Sequence, residues 1–129
     1  MMSKLRENIF FNAIDMTSGF ESRGDGNTGI SVKVLASDLD TTAKRGHRTR
    51  ILRMAPGSDT PEAHAHDYWE EILILEGEMI VQDGTDGEKT VKAGDYAARK
   101  PGVMHGPVRS DAGCLMIDFC WYPAADEES

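Results

Sequence analysis

Three of the four histidines fall in two places, His64 and His66 together and His105 roughly forty residues later, with Glu70 and Glu71 close behind the first pair. Imidazoles and carboxylates gathered in this way are the donors of transition-metal sites. Residues two apart on a helix point about 200° away from each other, whereas alternate residues of a strand share a face. His64 and His66 can converge on one ion only from extended backbone. An unbroken strand would carry Glu70 about 20 Å beyond His64 at roughly 3.3 Å per residue. The chain must therefore bend between them, and Asp67-Tyr68-Trp69 is where the bend falls. Glu70 then returns on an antiparallel strand with Ile72 and Ile74 on its own face, placing a polar group at the mouth of an apolar interior. Leu73 and Leu75, on the opposite face, need a cover from the N-terminal segment or from a second subunit.

The elements that must position these side chains are short strands. Turn signals fall at Pro56-Gly57, Glu76-Gly77, Asp83-Gly84 through Asp86-Gly87, Gly94-Asp95, Pro101-Gly102, Gly106-Pro107 and Asp111 to Gly113. Between them lie runs rich in β-branched and aromatic residues: Ile30 to Leu35, Thr49 to Met54, Glu71 to Leu75, Met79 to Gln82, Thr90 to Lys92 and Leu115 to Tyr122. That rhythm predicts an all-β antiparallel sandwich or barrel. Ser18 to Gly29 reads as a long hairpin loop, and its Arg23-Gly24-Asp25 tripeptide as a glycine-permitted turn. Leu39 to Arg50 reads as a solvated basic loop and strand edge, with His47 alone among its cations.

The residues from 57 to 109 resemble the cupin superfamily of double-stranded β-helix barrels. The first motif of that family has its counterpart in Gly57, six residues, His64-Ala65-His66, three residues, Glu70, six residues and Gly77. The second has its counterpart in Gly94, five residues, Lys100-Pro101-Gly102, two residues, His105, three residues and Arg109, which stands where Asn is usual. The resemblance implies an all-β, jelly-roll-like cupin barrel, a homodimer, and a single metal held by His64, His66, Glu70 and His105. Glu71 is the substitute ligand if the turn is one residue longer, but the six-residue interval to Gly77 favours Glu70. Three neutral imidazoles and one carboxylate suit Fe, Mn, Co, Ni, Cu or Zn as the divalent ion, and suit Mg or Ca less. On a six-coordinate ion they leave two positions for water, dioxygen or two oxygens of a chelating substrate.

Around that centre, Trp69 and Arg50 are the candidate substrate contacts. Asp118 breaks an otherwise apolar final strand and is the candidate catalytic residue. Buried, it needs a partner and serves as a general base or as a group beside the metal; facing outward, it is an ordinary surface carboxylate. Of Arg50, Arg53, Arg99 and Arg109, most are expected outside, and one inside would select anionic substrates. Met54, Met79, Met104 and Met116 are expected to line apolar surfaces.

Length and charge bound the rest. With 129 residues, 40% apolar and 28% charged, the chain is expected to form one domain over 1–129. Within it, 1–29 is an N-terminal strand and loop segment and 124–129 a frayed acidic tail. A chain of this size buries roughly 65–70% of its unfolded surface, so a metal would serve function rather than mere folding. A net charge of -8 speaks against nucleic acid and anionic membranes as partners. The longest apolar stretch near the N-terminus, Ile9 to Phe11, is too short for a signal or membrane span, and a cytoplasmic location is expected. Cys114 and Cys120 form no C-x-x-C pair and read as free thiols.

No Gly-x-Ser-x-Gly elbow, phosphate loop or dinucleotide fingerprint occurs. That absence speaks against serine hydrolase, nucleotide hydrolase and dinucleotide oxidoreductase chemistry, and the resemblance implies a metal-dependent cupin enzyme, read here as a dioxygenase acting on a small chelating diketone or enediol. The alternatives are a metal-dependent isomerase, decarboxylase or hydrolase, or a non-catalytic ligand- or metal-sensing module. An intact donor set argues against a storage role.

Overall fold

The structure, a computed structural model, describes residues 7–23, 28–60, 63–82 and 87–124. Eight strands make up its regular structure: β1 (Glu21–Ser22), β2 (Thr28–Ser37), β3 (His47–Thr60), β4 (Trp69–Val81), β5 (Lys89–Lys92), β6 (Tyr96–Arg99), β7 (Val108–Ser110) and β8 (Cys114–Trp121). Among the described residues there is no helix, hence none long and apolar enough to cross a membrane. The fold is an all-β barrel, one of the two forms that the punctuation by glycine and proline predicts, and it is the cupin barrel that the resemblance implies.

Two long strands organise it. The first half of β3 pairs with β8, from His47 opposite Trp121 to Met54 opposite Cys114, and its last residues pair with β7. In the same way β4 pairs with β8 and β6 through its first half and with β5 and β7 through its second. Two expected turns lie inside these strands. Pro56-Gly57 falls within β3, and Glu76-Gly77 falls within β4 at a register shift against β8. The reason is that a positive-φ glycine serves a bulge or bend in a continuous strand as well as it serves a turn. Gly77, at φ 79°, is such a place: a Cβ there would lie 2.1 Å from the Gly113 carbonyl oxygen.

β1, β6 and β7 were not among the expected strands, being short and poor in β-branched residues. β1 sits within the expected Ser18–Gly29 loop and pairs with β2 at Glu21 opposite Val32. The tripeptide turn at Gly24-Asp25, most of the Asp83–Gly87 turn and all but the first residue of the acidic tail lie outside the described residues.

Alternation along the strands sends one row of side chains inward. Leu52 and Met54 on β3, Ile74 and Met79 on β4, and Cys114 and Met116 on β8 form the core with Ile30 and Val81. Met104 instead is exposed. Followed toward one end of the barrel, the same inward rows turn polar: Leu52 gives way to Arg50, Met116 to Asp118, and Ile72 to Glu70. The site lies at that end.

Candidate metal centre

His64 and His66 lie between β3 and β4, and His105 between β6 and β7. Their two segments are zipped together through the backbone. The His64 N–H donates to the His105 carbonyl and the His105 N–H to the His64 carbonyl, both at 2.8 Å, and the Gly102 N–H donates to the His66 carbonyl at 2.7 Å. An isolated bridge, rather than a strand, supplies the extended backbone that His-Ala-His requires. The bend at Asp67 and Tyr68 then leads into β4.

The three rings converge, with centroids 4.3, 4.8 and 5.1 Å apart. One ligand nitrogen from each lies within 4.8 Å of the others. Tyr68 stacks on His66 at 4.7 Å and limits its rotation. Glu70 points inward from β4, its Oε1 lying 3.6 Å from His66 Nε2 and 3.9 Å from His105 Nε2. Glu70 Oε1 and His105 Nε2 are buried and accept or donate no hydrogen bond. Buried polar atoms in native proteins are rarely left so. A divalent ion between them would satisfy both, so this donor set fits a metal. Ligands at about 2.0–2.2 Å from one ion stand roughly 3–4 Å apart, close to the spacing here.

Asp118 is fully buried, which removes the outward-facing reading, and it is paired. It accepts hydrogen bonds from Arg50 Nε at 2.8 Å and Arg50 Nη2 at 3.0 Å. Register explains the pairing, because Arg50 faces Asp118 across the β3–β8 ladder. Arg50 also lies 3.7 Å from Glu70, and Arg99 lies 3.6 Å from it on the other side. Against the expectation that most arginines lie outside, Arg50 and Arg99 are both inside. Arg53 reaches the Met16 carbonyl, and Arg109 pairs externally with Glu88.

Burial pushes the Glu70 carboxyl pKa up, but His66, Asp118 and Arg99 more than offset this and hold it below the usual carboxylate range. Burial and Glu70 push Asp118 up to about 6, against the opposing pull of Arg50. Burial, with Arg99, lowers His105 to about 4, leaving a neutral imidazole ready to ligate at neutral pH. Burial also lifts the Cys120 thiol to about 12, so it stays protonated.

Trp69 alternates with Glu70 and faces away. It stacks on Trp121 at 6.0 Å and is not among the residues lining the cavity. Glu71, the substitute ligand, also faces away and accepts a hydrogen bond from Tyr96. His47 is exposed at the start of β3. The cavity, about 60 Å³, is lined by the three histidines, Glu70, Arg50 and Asp118 at its polar end and by residues such as Leu52, Ile72 and Met116 below. Sequence reasoning missed Arg23, which also lines it; its signal was hidden in a tripeptide that reads as a turn.

A single-domain β barrel with inward histidines and a carboxylate at one end defines a cupin. More narrowly, the chain belongs to the ChrR cupin-like domain family, which it matches over residues 21–122. No curated protein matches it. Among solved structures it is similar to an RmlC-like cupin from Shewanella frigidimarina, at 24% identity and a TM-score of 0.65 over 88% of this chain and 92% of that one. It is also similar to the polyketide cyclase RemF from Streptomyces resistomycificus, at 23% identity and a TM-score of 0.67 over 89% and 83%. A third is a predicted oxalate decarboxylase from Thermotoga maritima, at 21% identity and a TM-score of 0.65 over 84% and 95%. At these identities the likeness is one of fold.

Proposed function

We propose that this chain is a metal-dependent cupin enzyme acting on a small chelating oxygenated compound of the diketone or enediol class, and that it works as a homodimer. The observation that carries the reading is the facing pair of buried, unsatisfied atoms, Glu70 Oε1 and His105 Nε2, beside His64 and His66. His64, His66, Glu70 and His105 would hold one divalent transition ion, which when bound polarises the oxygens of a chelating ligand. Arg50, locked to Asp118, keeps positive charge beside the Glu70 carboxylate and fixes its direction. The apolar wall below excludes water from the ligand's carbon skeleton.

Dioxygenation of the bound compound is the reaction tested first. The second reading is a non-oxidative reaction on the same class of compound, favoured by the naming of two similar barrels as a cyclase and a predicted decarboxylase. Protein purified without an affinity metal and reconstituted with Fe, Mn, Co, Ni, Cu or Zn is expected to retain about one ion per chain by mass spectrometry. His66→Ala and His105→Ala are expected to lower retention by about tenfold or more. No retention of any of these ions overturns the metal reading. Oxygen uptake with a diketone and enediol panel supports dioxygenation, and turnover under nitrogen assigns the non-oxidative reaction. Binding without turnover assigns a sensing module.

A further inference from the structure

Arg23 follows β1 directly, its backbone N–H donating to the Ile30 carbonyl at 3.0 Å. Its side chain is half-buried and lines the same cavity as the histidines. Among the described residues, five formally charged side chains line that cavity besides the imidazoles: Arg23, Arg50 and Arg99 against Glu70 and Asp118. Three cations against two anions leave one positive charge in excess before any metal enters. The excess is not spread evenly. Arg50 is bound at two points by Asp118, and Arg99 lies within 3.6 Å of Glu70. Arg23 makes no side-chain hydrogen bond or ion pair to any described residue. Burial, followed by the like charge of Arg50, lowers its pKa, and Glu70 and Asp118 only partly compensate. A half-buried cation in this state is stabilised by an incoming anion.

The size of the cavity limits what that anion can be. About 60 Å³ of space admits roughly four to six waters' worth of ligand, which suits a short-chain organic acid and not a nucleotide or a sugar polymer. We propose that Arg23 is the anion anchor of this cavity, holding a carboxylate carried by the same small ligand whose oxygens chelate an ion at His64, His66, Glu70 and His105. The assignment rests on the metal-site reading above and names the class of compound it selects, a chelating organic acid rather than a neutral diketone.

The test compares two probes, 2-oxoglutarate and 2-oxopentanoate. They share a chelating 2-oxo acid end and a five-carbon chain, and differ in a distal carboxylate against a methyl group. Calorimetric titration of Co(II)-loaded wild-type protein is expected to show 2-oxoglutarate binding about tenfold tighter, the worth of one charge-assisted contact. Arg23→Gln is expected to bring the two affinities within about twofold, with Co(II) content and melting midpoint unchanged. Arg23→Lys keeps part of the preference. Equal affinities in the wild type, a preference that survives Arg23→Gln, or no binding of either probe overturns the proposal. If the protein takes up no Co(II), the metal reading falls on its own. The same comparison on metal-free protein then decides for Arg23: a preference lost in Arg23→Gln upholds the anchor, and its absence rejects it.

Discussion

Asp118 and Arg50 face each other across a ladder, both buried, and share two hydrogen bonds. Breaking such a pair from one side strands the other charge, so Asp118→Ala is expected to cost about 3–5 kcal/mol in denaturant unfolding. The pH dependence of the pair has an unusual sign. Burial lifts Asp118 to about 6 from an ordinary 3.8, so the native state binds its proton more tightly than the unfolded state does. Its contribution to stability is full below pH 4 and is lost as pH rises through about 6. Asp118→Asn should flatten that slope in unfolding curves taken between those pH values. His64, His66 and the bend that returns Glu70 were legible from strand geometry, and His105 joined them through the family resemblance; the structure gathers the three imidazoles. Asp118 was visible only as a break in an apolar run, and Arg23 and Arg99 were not singled out. Whether an arginine lies inside depends on which residue its strand places opposite, and that register is a long-range property.

The strand interiors show where local signals run out. Gly57 and Gly77 both adopt positive φ, and both read as turns beside Pro56 and Glu76, yet both sit inside long strands. A glycine is needed in either setting, so the residue type marks a backbone conformation without saying whether the chain reverses there. Runs from Ile30 and from Leu115 became β2 and β8 almost as expected, each paired along its length with β3. The two glycines differ in surroundings. A Cβ at Gly77 would meet the Gly113 carbonyl at 2.1 Å, whereas at Gly57 it would meet nothing within 4 Å. Gly77→Ala should therefore destabilise by clearly more than about 1 kcal/mol, and Gly57→Ala by about that much or less, in paired chemical denaturation curves.

For the whole molecule, the sheet face opposite the cavity carries Leu73, Leu75 and Phe119, each more than a third exposed, and the N-terminal segment exposes Phe10 and Phe11. Exposed apolar side chains of this size on one sheet face suit contact with another protein. In the homodimer proposed above, light scattering should give twice the chain mass, and Leu73→Glu with Leu75→Glu should shift it toward the monomer. The bridge between the His64 and His105 segments acts at this scale too. The two stretches bearing the imidazoles are sewn to each other by main-chain hydrogen bonds that need no cation. A chelator could then strip the ion while the barrel stays folded, and a different ion could settle in the same seat, making occupancy a matter of supply rather than of refolding.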